Sequence, residues 1–431
     1  MLSRRNFVKI AGAIPATAGI ALENNETGNN TKPAKGARIK SITLTAVTGN
    51  FVRFVGMNAY DTAPKGIKSG EELVRVIFDD GTEGLSVTGY SQIDDEVIAK
   101  MKALVGKDPF SFYTWEGDRI TGVTNEMKPY FFDTKYAWIE GAMLDAIGKQ
   151  KKIPVWKLFG NSVREGIDAY DGALYFEEIA SNRDISIIGE VAKKIKNEGY
   201  KGIKIKLGRP AKWLPGEAGL NRDIEAFIAL REAVGWNFNL MADANNGYDN
   251  HFDWAVKLLK TCAPYDMYWM EEIFADDTPM YLKLREELMK DNLFVPVAEG
   301  ETLMGNDDPR YLNRFDKYLE HGVYNFLQPD MRTYGISNMI AFARKAMKYP
   351  HVKIAPHNWN SQMGVIMCLH AAKVCPNISM VEDDRFFNHA ITLPGFKFFD
   401  GQWFIGEQPG WGITLAPDYK KLFMIRERTI A

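Results

Sequence analysis

Six side chains recur at a nearly constant step: Asp243, Glu271, Glu301, Asp330, His357 and Glu382 are separated by 28, 30, 29, 27 and 25 residues. Each falls at or near the end of a short apolar run, and the step is about the length of one strand–helix unit. A ring of parallel strands would bring all six to one mouth, where barrel active sites are built. Scattered surface charges would not keep that step. Apolar runs at 167–171, 202–207, 238–244, 267–272, 294–301, 324–330, 352–357 and 378–383 supply eight candidate strands. Amphipathic stretches at 187–198, 223–234, 281–290 and 337–348 lie between them. The expected fold class is α/β, with a (β/α)8-type barrel over residues 164–394.

Residues 38–163 read differently. A β-rich run at 73–78 passes through Asp79-Asp80-Gly81-Thr82 into another at 84–87, an Asp-Gly hairpin. Helical spacing follows at 94–104 and 136–152, so this part is expected to be a small α+β domain. Residues 395–431, rich in Gly, Pro and aromatics, are expected to pack on other parts of the chain and form no further unit.

The first 35 residues are set apart from the fold. Ser3, Arg4, Arg5, Phe7 and Lys9 precede a weakly apolar stretch at 10–22, too short to span a bilayer, and a polar linker at 24–35 follows. This pattern is similar to a twin-arginine export signal and leads us to expect a periplasmic protein without a stable membrane anchor. Cys262, Cys368 and Cys375 have no CxxC spacing, and point neither to a disulfide framework nor to a zinc site. A net charge of -2 without long basic runs gives no reason to expect nucleic acid as a partner. The expected ligand is a small molecule.

Asp243, Glu271 and Glu301 offer three carboxylates from consecutive strands, a hard oxygen set suited to Mg²⁺. Lys204 and Lys206 share one strand, so both face the barrel interior, and their proximity would favour a neutral, basic form of one. Asp330 and His357 stand one unit apart, where a carboxylate can orient an imidazole as general acid and base.

The segments GIKIK (202–206), DAN (243–245), YWMEE (268–272), EGETL (299–303), QPD (328–330), APHN (355–358) and VED (381–383) occur in order. Together they resemble the mandelate racemase-like branch of the enolase superfamily, over residues 38 to the end. The resemblance implies a modified barrel closed by the N-terminal cap, with the C-terminal tail returning to that cap. It implies Asp243, Glu271 and Glu301 as Mg²⁺ ligands, with Lys206 and the His357–Asp330 pair as bases on opposite faces of the substrate. Lys204 would help neutralise the substrate carboxylate, and Glu382 would hydrogen-bond the developing enolate opposite the metal. Homo-oligomers are usual among similar proteins, and the resemblance implies one here. Ile273 stands where a proline is common, and Tyr334-Gly335 where Gly-Gly is frequent.

The activity expected first is dehydration of a sugar acid to a 2-keto-3-deoxy acid. The alternative is a racemase, epimerase or cycloisomerase acting on a carboxylate. A non-catalytic periplasmic binding protein is the third reading, which retention of every ligand and base disfavours. Specificity is expected from the cap loop at 49–66, through Arg53, Asn58, Tyr60 and Asp61, with Asn245 as a further substrate contact.

Overall fold

The computed structural model describes residues 37–275, 278–301 and 315–430. The export-signal reading and the linker lie outside the described residues. Among those residues no helix is long and apolar enough to cross a membrane.

The cap is built on an antiparallel meander: β1 (Ile39–Val55), β2 (Gly66–Phe78) and β3 (Glu83–Val87). Ile42, Leu44 and Val47 of β1 and Leu73, Val74, Val76 and Phe78 of β2 are buried. The helix Ile139–Lys151 lies on β3, buried from Ile139 through Gly148. Gly84 permits that approach: a Cβ at this position would come 1.9 Å from the carbonyl oxygen of Ala142.

The barrel has eight strands: β4 (Gly166–Leu174), β5 (Gly202–Lys206), β6 (Asn239–Asp243), β7 (Met267–Glu271), β8 (Val297–Glu299), β9 (Phe326–Leu327), β10 (Lys353–Ile354) and β11 (Val381–Asp383). Neighbours from β4 to β10 pair in parallel. β11 pairs with β4, and a parallel bridge from Ile354 to Ile378 closes the ring. Outer helices include Ser186–Asn197, Glu217–Val234, Phe252–Cys262, Ile336–Ala346 and Gln362–Val374. After β11 the chain makes no eighth helix but enters β12 (Phe386–Asn388), which pairs with β1 of the cap.

The tail also ties barrel to cap. Its strand β13 (Gln402–Phe404) runs antiparallel to β4, and β14 (Met424–Thr429) runs antiparallel to β1. Trp411 is wholly buried, its indole N–H donating to the carbonyls of Leu85 and Gly141 at 3.0 Å each. From the cap helix, Glu140 accepts the backbone N–H groups of Ile336 and Ser337 at 2.8 and 3.1 Å, capping a barrel helix.

Candidate active site

An apolar layer of Tyr170, Met241, Trp269, Ala298, Phe326, Ala355 and Met380 fills the barrel interior. Side chains two apart on a strand share a face. The residues two beyond Tyr170, Met241, Trp269, Phe326, Ala355 and Met380 are Gly172, Asp243, Glu271, Gln328, His357 and Glu382. The polar layer is therefore a direct result of strand alternation, and the apolar layer forms its floor. The ladder sets Lys206 opposite Asp243 and Asp243 opposite Glu271, while Lys204 lies one level down, opposite Met241. Gly172 leaves room for Glu382, whose Oε1 would lie 2.5 Å from a Cβ there.

The Lys204 ammonium is fully buried and meets Glu271 at 2.6 Å, Glu382 at 2.8 Å and Asp243 at 3.4 Å. Lys206 pairs with Asp243. Burial works against both ammonium groups, but Glu271 and Glu382 around Lys204, and Asp243 beside Lys206, outweigh it and raise both pKa values. At these distances the carboxylates dominate the mutual repulsion of the two lysines.

His357 places Nδ1 3.0 Å from Oδ2 of Asp330 and Nε2 3.1 Å from Oε2 of Glu301. Burial would lower its pKa, but Glu301 and Asp330 reverse the effect and raise it to about 9. Asp330 is itself held well below the usual carboxylate range, because Arg332 and His357 overcome its burial. Glu382 accepts the backbone N–H of Asn358 at 3.1 Å through its other oxygen.

Asp243, Glu271 and Glu301 are all buried, and one oxygen from each lies within 4.8 Å of the others. Such a set of hard oxygen donors fits a divalent cation. Lys206 touches the triad through Asp243 and His357 touches it through Glu301, so the lysine and the imidazole meet different members of one cluster.

The substrate-contact expectations divide. Tyr60 is exposed as a residue, yet Lys206, Glu301 and Asp243 act on its hydroxyl, and burial of that group pushes its pKa up to about 12. Asn245 donates through its side chain to Glu272 at 3.1 Å and through its backbone to Asp243 at 2.8 Å, beside the triad. Arg53 binds the buried Asp171 of β4 through its guanidinium and so joins cap to barrel. The loop is also shorter than expected, because β1 continues to Val55. Asn58 and Asp61 brace it, Asn58 accepting the N–H of Asp61 at 3.1 Å and Asp61 accepting that of Asn58 at 3.0 Å.

Three further residues reach the site. Gln328, within the QPD segment, donates to Glu271 at 2.7 Å. Arg332 donates to both oxygens of Asp330, and Tyr90 of the cap donates to Oδ2 of Asp330 at 3.0 Å. Neither Arg332 nor Tyr90 keeps the strand-end step that marks the other site residues.

A capped barrel with a carboxylate triad between a lysine and a histidine–aspartate pair defines the class, and comparisons with known proteins agree. Residues 187–419 match the family model described as enolase C-terminal domain-like, and the chain belongs to that family. It is 28% identical over 282 residues to arabinonate dehydratase of Saccharolobus solfataricus, covering 64% of this chain and 68% of the relative. It is 26% identical over 360 residues to D-galactarolactone cycloisomerase of Agrobacterium fabrum, covering 80% and 89%. The fold is shared with galacturonate dehydratase from Geobacillus sp., solved as a mutant complexed with Mg, at a TM-score of 0.76 and 21% identity over 93% of this chain and all of that one.

Proposed function

We propose that this chain is a Mg²⁺-dependent hydro-lyase that converts a sugar acid to its 2-keto-3-deoxy acid. The observation that carries this reading is the placement of Lys206 and His357 against different carboxylates of the same triad. Asp243, Glu271 and Glu301 would hold the Mg²⁺, which when bound supplies positive charge against the negative charge that develops as the α-proton leaves. One base takes the proton from the carbon beside the carboxylate: either His357, or Lys206, which would give up its own proton once Asp243 is engaged by the cation and no longer holds the ammonium form. The C–H electron pair then forms the C=C bond as the β-hydroxyl departs, and His357, protonated and oriented by Asp330, gives that hydroxyl the proton it needs to leave as water. The resulting enol tautomerises to the ketone. Lys204 would supply fixed positive charge toward the substrate carboxylate, and Glu382 would hydrogen-bond the enolic oxygen.

Ring opening of an anhydro acid or lactone is the second reading, favoured by the similarity to a cycloisomerase. Proton NMR in D₂O, with Mg²⁺ and a panel of aldonates, aldarates, anhydro acids and lactones, separates the two. A 2-keto-3-deoxy product supports the dehydratase. Ring opening or α-deuteration without water loss assigns an isomerase instead, and no conversion across the panel sinks both. The paired arginines Arg4 and Arg5 further support a proposal of periplasmic location. Replacing both with Lys should hold the protein in the cytoplasmic fraction, and unchanged fractionation refutes that proposal.

A further inference from the structure

Oδ2 of Asp330 is the oxygen that faces Nδ1 of His357 at 3.0 Å, and it takes two more donors: Arg332 at 2.9 Å and the Tyr90 hydroxyl at 3.0 Å. The other oxygen of Asp330 accepts the backbone N–H and Nε–H of Arg332 at 2.8 and 3.2 Å. The carboxylate is thus clamped in its plane by Arg332, from the short helix Met331–Tyr334 that Asp330 caps. Tyr90 differs from these partners in origin. It follows β3 of the cap, 240 residues away in sequence, and its ring lies under the Arg332 guanidinium at 4.4 Å.

We propose that Tyr90 is a positioning residue through which the cap holds the Asp330–His357 pair in register; this rests on the reading of His357 as the proton donor in dehydration. The hydroxyl approaches Oδ2 from the cap side and restrains the direction in which that oxygen meets Nδ1–H. The imidazole orientation, and with it the aim of Nε2 into the site, then depends on the cap as well as on the barrel. Partners of this kind, one step removed from the reacting group, tune orientation more than binding. Arg332 also donates to the Tyr90 hydroxyl, so that hydroxyl links guanidinium and carboxylate from the cap side.

Tyr90→Phe tests the inference, because it keeps the ring under Arg332 and removes only the hydroxyl, with its bonds to Asp330 and Arg332. The full chain, labelled with ¹⁵N-histidine, is compared with the variant by the Nδ1–H resonance of His357, assigned by its loss in His357→Gln. The expected result is a shifted or broadened Nδ1–H signal at an unchanged melting temperature. On any sugar acid the protein converts, kcat should fall about tenfold or more with little change in KM. An unmoved Nδ1–H signal overturns the proposal, and so does unaltered turnover of a converted substrate. If the signal moves while the wild-type chain converts no sugar acid, the positioning role stands and the dehydratase reading fails.

Discussion

Asp330 and His357 face each other across adjacent barrel strands, Oδ2 to Nδ1 at 3.0 Å, while the other ring nitrogen points at Glu301. This places the imidazole between an orienting carboxylate and a member of the triad. His357→Asn removes the transferable proton but preserves a hydrogen-bond donor toward Asp330. It should lower kcat by about a hundredfold or more, the range a positioned acid or base contributes. The melting temperature should stay near that of the parent, since Arg332 still neutralises Asp330. Turnover within a few-fold of the parent would remove His357 from the mechanism.

The triad makes a second prediction. Asp243 is held below the usual carboxylate range because Lys206 and Lys204 outweigh its burial. Asp243→Asn therefore removes a proposed metal ligand and leaves Lys206 buried without its main partner. Loss of one partner of a buried ion pair costs about 3–5 kcal/mol, so this variant should unfold at lower urea than the parent. Chelation should abolish turnover of the parent without that loss, because the lysines remain paired with the carboxylates. Adding Mg²⁺ at about a hundred times its Kd should then stabilise the parent by about 2.7 kcal/mol, read as a shift in the urea midpoint. Asp243→Asn should show no such gain.

Most of this site was legible because parallel strands buried on both faces read as apolar runs, and a polar residue closing such a run stands out. Asp243, Glu271 and His357 all follow an interior residue at i+2, a relation that exists in sequence before any folding. The helix Phe252–Cys262 carries the same kind of local signal, burying Ala255, Leu258, Leu259 and Cys262 on one face. Gln362–Val374 does not: Met363 through Val374 are buried on every side, which erases the polar stripe that marks an amphipathic helix. The pairing of Arg53 with Asp171 was not legible, because Asp171, though near a strand end, is 118 residues away and lies off the regular step. Tyr90 was missed for a related reason, since only the packing of cap on barrel brings it to Asp330.

Trp411 offers a test of the tail that is separate from catalysis. It is fully buried, its indole and backbone N–H groups are both bonded, and its carbonyl meets His370 at 3.2 Å. Trp411→Ala opens a cavity between tail and cap and should cost about 3–5 kcal/mol by urea unfolding. Trp236 is 63% exposed, and its replacement by Ala should stay within about 0.5 kcal/mol. Equal effects from the two would mean that the tail does not hold the cap in place.

Glu140 makes stability depend on pH at the junction of cap and barrel. It is wholly buried, and burial raises its pKa from 4.5 to about 7 even though the backbone N–H groups of Ile336 and Ser337 favour its charged form. The folded state therefore binds a proton more tightly than the unfolded chain. The stability from this group is fully present below pH 4.5 and is lost as the pH rises through about 7. A shift of that size corresponds to about 3 kcal/mol, since one pKa unit is worth about 1.4 kcal/mol. Glu140→Gln keeps an acceptor for the helix N–H groups and carries no charge. Its stability relative to the parent should rise across that window by about 3 kcal/mol, with the variant gaining most above neutrality. Urea midpoints measured at intervals from pH 4 to 8 read the difference directly, and a constant difference across the range would show that another group carries the pH dependence.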